Sequence, residues 1–92
     1  MQAKPSIKVE VPPVLDALAL PARLHIVAME QLNGIMSAAT IPDVSRLYNR
    51  ADGIVYGWSV ADVITDDASG RLWVIYQDAH DNRKSEILAA RR

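Results

Sequence analysis

At Ile54 the apolar residues of this 92-residue chain change their spacing. Upstream, Val14, Leu15, Leu18, Leu20, Leu24, Ile26, Val27 and Leu32 recur at mixed intervals of three and four in an Ala- and Leu-rich stretch, the period of a helix. Downstream, Ile54, Tyr56, Trp58 and Val60 alternate with Val55, Gly57, Ser59 and Ala61, and β-branched and aromatic residues dominate, which reads as strand. A chain helical in its first part and stranded in its second is expected to fold as α+β, an antiparallel sheet with helices packed on one face.

The punctuation fills in the order. Ile7, Val9 and Val11 alternate with Lys8 and Glu10, a short strand ended by Pro12-Pro13. Pro21 cannot sit inside an unbroken helix, so two helical pieces are expected, the second opening near it and closing at Asn33-Gly34. Thr40-Ile41-Pro42-Asp43 supplies a cap, a first-turn proline and an acid for a next helix of about ten residues, with Val44, Leu47 and Tyr48 on one face, ending near Asp52-Gly53. Alternation then slips at Ala61-Asp62, suggesting a bulge. Asp66 to Gly70 reads as a hairpin turn, Arg71 to Tyr76 as the returning strand, Asp78 to Asn82 as a second turn, and 83–90 as a third hairpin strand rather than a terminal helix. The expectation is one domain spanning 1–92, ordered β-α-α-β-β-β, with three or four strands and no repeat or linker.

Composition closes off several classes. With no cysteine there is no disulfide framework, thiolate metal site or thiol nucleophile, and the chain suits a reducing cytoplasm. The net charge of −1 gives no general attraction to polyanions. No secretory signal pattern opens the sequence, and the apolar stretch from Val14 to Met29 is interrupted by Asp16, Pro21, Arg23 and His25, too short a run for a membrane span.

Catalytic sets are equally absent from the pattern. Asp62, Asp66, Asp67, Asp78 and Asp81, with His80, fall in or beside the expected turns, where aspartate bonds its own backbone, and their spacing matches no metal loop. His25 sits among apolar neighbours without a second histidine at ligand spacing. Ser37, Ser45, Ser59, Ser69 and Ser85 lie in no nucleophile elbow, and the four glycines form no phosphate-binding loop. The chain is therefore read as a non-enzyme with no metal and no cofactor.

Two binding patterns remain. Tyr56, Trp58, Trp73 and Tyr76 stand on neighbouring expected strands, and Leu72, Val74 and Tyr76 alternate with Trp73 and Ile75, so both faces of the sheet are apolar. Helices of the same chain cover one face, and another protein or a second copy covers the other. This points to a small regulator, accessory subunit or inhibitor of a larger complex. The rival is nucleic acid. Residues 30–49, with Val44-Ser45-Arg46-Leu47-Tyr48-Asn49 as second helix and Gly34 in the first, resemble a helix-turn-helix, although Ala38 stands where that turn usually has glycine. The resemblance implies a winged-helix-like DNA-binding regulator with Ser45, Arg46, Asn49, Arg50 and Arg71 as contacts and the hairpin as wing. An ordinary amphipathic helix exposing Ser45, Arg46, Asn49 and Arg50 to water explains the same residues and is the favoured reading of them.

Overall fold

The computed structural model describes residues 13–91, and every regular element among them is a helix. A short α1 (Pro13–Asp16) is followed by α2 (Ala22–Ser37), α3 (Ile41–Val60) and α4 (Asp66–Ala90). The expected α+β fold is therefore wrong: residues 54–60 continue α3, and 71–76 and 83–90 both belong to α4. The strand expected at 7–11 lies outside the described residues.

The alternation after Ile54 masked a longer period. Val44, Tyr48, Ala51, Val55 and Trp58 are spaced four, three, four and three apart, one stripe along α3, and Val44, Ala51 and Val55 are buried. The supposed strand face of Ile54, Tyr56, Trp58 and Val60 is dispersed around the helix, with Tyr56 and Val60 exposed. A β-branched residue costs a helix only about 0.5 kcal/mol, less than the roughly 1.5–3 kcal/mol gained by burying one such side chain, so packing overrides local preference. In α4, Ala68, Leu72, Ile75, Tyr76, Ala79 and Ile87 face inward. The apparent two-sidedness of 72–76 is a helix with Leu72, Ile75 and Tyr76 inside and Trp73 and Val74 outside.

The aspartates read as a hairpin turn are the start of α4. Thr65 is its N-cap, with a side chain that accepts a 3.0 Å hydrogen bond from the Ala68 amide, and Asp66 and Asp67 stand in the first turn where the helix dipole favours negative charge. Asp67 also pairs with Arg71 one turn on, at 3.1 Å. The second expected turn, 78–82, lies inside the same helix. At the start of α3 the expected cap is present, with Thr40 accepting a 3.2 Å bond from the Asp43 amide and a proline in the first turn. That helix runs 20 residues rather than ten. Pro21 precedes α2 as expected, but α2 passes Asn33-Gly34 and ends at Ser37.

The core lies where the three long helices meet. Leu15 of α1, Leu32 and Ile35 of α2, Val44 of α3, and Leu72 and Tyr76 of α4 are its largest fully buried side chains. Each of α2, α3 and α4 contacts the other two. Arg83 of α4 ties down the end of α2: its Nε donates to the Ala38 carbonyl at 2.7 Å, supplying the cation that the last turn of α2 lacks, while its guanidinium pairs with Glu86 at 2.9 Å.

Residues 61–65 connect α3 to α4. The Val63 amide donates to the Trp58 carbonyl at 3.0 Å and the Asp62 amide to Ser59 at 3.1 Å, with Asp62 at φ 60°, so α3 closes in a Schellman motif. The break expected as a bulge is a helix terminus. Glycine normally occupies this left-handed position because a Cβ is strained there. Asp62→Gly is accordingly expected to stabilise the fold by about 0.5–1 kcal/mol, seen as a higher urea midpoint at unchanged slope.

Candidate protein interface on α3 and α4

The four aromatics expected on neighbouring strands are divided by the helices. Tyr76 is 1% exposed, and its hydroxyl donates to Gln31 Oε1 of α2 at 2.8 Å, so it is a core residue. Trp58 is partly buried against the same core. Tyr56 and Trp73 remain outside, 70% and 44% exposed, and line one groove between α3 and α4 of about 510 Å³.

That groove exists because of a repeated local pattern. Gly53 precedes Tyr56 by three residues on α3, and Gly70 precedes Trp73 by three on α4, which places a missing side chain beside an aromatic ring on each wall. Neither glycine has another residue within 4 Å of the position its Cβ would take. Asp52 and Ser69 also line the groove. Gly70 also borders a second depression along α4, lined by Val74 and Ile75 together with the charged Asp66, Asp67, Arg71 and Asp78. The sequence reading gives Asp52-Gly53 to a helix end and Gly70 to a hairpin turn and assigns none of them to a site; the twice-repeated glycine-to-aromatic interval of three is the visible signal.

Deeper along the same helix pair, the Tyr48 and His80 rings lie 4.6 Å apart, inclined at 44°, and His80 Nδ1 is 2.9 Å from Asp81 Oδ1. Burial raises the Tyr48 pKa above its ordinary value, with the charges of Asp52 and Asp81 acting in the same direction and the Trp73 indole N–H, as a donor toward the phenol oxygen, opposing them. The remaining acids spread along α4 and its preceding corner, and no three metal-ligating side chains converge among the described residues. His25 instead faces Asp16 of α1, at 3.5 Å.

The residues assigned to DNA contact lie on two helices, four on α3 and Arg71 on α4. Ser45 is half-buried, while Arg46, Asn49 and Arg50 are exposed on α3. Arg46 pairs with Asp43 at 3.3 Å, and Arg50 borders a groove toward α2. Arg71 is on the outer side of α4, engaged by Asp67. The expected wing is helical. No helix among the described residues is long and apolar enough to cross a membrane. Comparison of the chain with family models, curated proteins and solved structures finds no match.

Burial raises the Tyr76 hydroxyl well above the ordinary tyrosine pKa. The unfolded chain therefore releases this proton first as pH rises, so the contribution is intact below about pH 10 and is lost above it, on the order of 1 kcal/mol per pH unit until the folded-state pKa is reached. Urea unfolding between pH 8 and 11 is expected to show this downward slope, reduced in Tyr76→Phe, whose stability at pH 8 is lower through loss of the Gln31 bond.

Proposed function

We propose that the protein is a non-enzymatic interaction module, a small regulator, accessory subunit or inhibitor of a larger complex, that docks another protein through the outer face of α3 and α4. The supporting observation is the pairing of Tyr56 and Trp73 on one open groove. Exposing two large aromatic rings beside glycines does nothing for the core, whereas such rings are the residue types that anchor protein interfaces. A second copy of the chain is the other candidate partner. A cysteine-free chain suits work in the cytoplasm.

Tyr56→Ala with Trp73→Ala is expected to keep the circular-dichroism spectrum of the parent while losing the partner that co-purifies with it, or its own dimer in sedimentation equilibrium. An interface anchored by these rings weakens by about tenfold or more for each. Retention of the same partner and the same oligomeric state by the folded double variant removes this function.

The order of α2, a turn at residues 38–40 and α3 also suits a DNA-binding regulator, because it leaves Arg46, Asn49 and Arg50 on the outer part of α3. With no strand in the expected wing, α3 has to supply the contacts alone. Anisotropy of a labelled mixed-sequence duplex separates the two functions. Salt-sensitive binding at micromolar protein that is weakened by Arg46→Ala and Arg50→Ala establishes DNA contact, and no binding at low salt excludes it.

A further inference from the structure

We infer that the α3–α4 groove recognises an arginine side chain presented by the partner protein, with Tyr56 and Trp73 as aromatic walls and Asp52 as counter-charge. This rests on the docking function proposed above and specifies the chemistry of the partner. Three observations converge on it. The first is shape: Gly53 and Gly70 leave the space beside each ring open, so a flat group has room to enter. The rings of Tyr56 and Trp73 are not spent on each other, since the one close aromatic pair among the described residues is the tilted Tyr48–His80 contact.

The second observation is charge. Asp52 is the one ionisable carboxylate lining the groove, and no basic side chain lines it. Asp52 has no basic partner within ion-pair distance among the described residues, a state it shares with Glu30, Asp62, Asp66 and Asp78; what sets it apart is its place on the wall of this groove. Its charge also acts on Tyr48 of the same helix, where, after burial, it contributes to raising the pKa. A carboxylate left without a cation beside two exposed aromatic faces is complementary to a cation and unfavourable to an acidic or purely polar occupant.

The third is the identity of the rings. Tryptophan and tyrosine attract a cation to their faces, and a guanidinium, planar and weakly hydrated, stacks on them while donating to a carboxylate. A lysine ammonium gains the charge interaction but not the stacking, so arginine is the better match.

The probe is the end-blocked tripeptide Gly-Arg-Gly, set against its citrulline counterpart, which keeps the planar head and loses the charge. Both are titrated into the full chain labelled with nitrogen-15. The expected result is saturable movement of the Trp73 indole N–H and of the Gly53 and Gly70 amides, with the Trp58 indole as internal reference. Dissociation constants are expected on the order of 1–10 mM for arginine, weaker by about threefold or more for citrulline and for Asp52→Asn. Gly53→Ala with Gly70→Ala is the second variant: it favours the helices, so it folds, yet it fills the groove and is expected to weaken arginine binding.

Equal response to the two peptides, or no movement of the Trp73, Gly53 and Gly70 signals, overturns the arginine site. So does movement centred on Asp66 and Asp67, which marks attraction to the acidic start of α4. If the Tyr56→Ala, Trp73→Ala variant loses its partner while arginine proves no better than citrulline, the docking surface stands and its arginine specificity falls. If arginine binds the groove but that variant keeps its partner, the function proposed above is what fails.

Discussion

The inward stripe of α4 is the surface on which the rest of the molecule is assembled. Leu72 and Tyr76 reach the meeting point of the three long helices, and burial of that stripe against both α2 and α3 removes water from all of them together. Without a disulfide to limit the unfolded chain, this apolar contact has to outweigh its conformational entropy. Tyr76 adds direction to it. A hydroxyl taken out of water has to find a partner, and Gln31 is that partner, so α4 is fixed in rotation against α2 as well as held to it.

Such an arrangement leaves helix ends to be satisfied, and the chain does so with nearby polar groups. Thr40 and Thr65 cap the starts of α3 and α4, and Asp62 adopts a left-handed backbone so that two amides can close the end of α3. The end of α2 is treated differently, since Arg83 reaches it from across the bundle. That long-range bond and the one between Tyr76 and Gln31 join α4 to α2 at separate points, which gives the tertiary packing a defined register.

Where the core makes no demand, the surface departs from what stability alone favours. Gly53 and Gly70 sit in helices at positions where an alanine would meet no neighbour and would aid the helix. Tyr56 and Trp73 expose apolar area to water beside them. These costs fall together on one groove, with an unpaired carboxylate at its side, and that coincidence is the basis for assigning the groove to a partner.

The sequence by itself determined the composition-level answers, the helix starts at Thr40 and near Pro21, and the position of the break around Asp62, because caps, prolines and pattern slips act locally. It also contained the α3 stripe from Val44 to Trp58, but that stripe competed with an equally legible alternation, and local propensity favours neither strongly enough to decide. Thr65-Asp66-Asp67 was ambiguous in the same way, since the residues that make turns also cap helices. Only the tertiary structure decided that the second half is helical, because burying Val55, Leu72 and Tyr76 against α2 requires contacts between residues far apart in the chain. The same packing decided which aromatics remain outside: residue type offers both Tyr76 and Trp73 to a partner, and the direction of the core buries the first and leaves the second exposed.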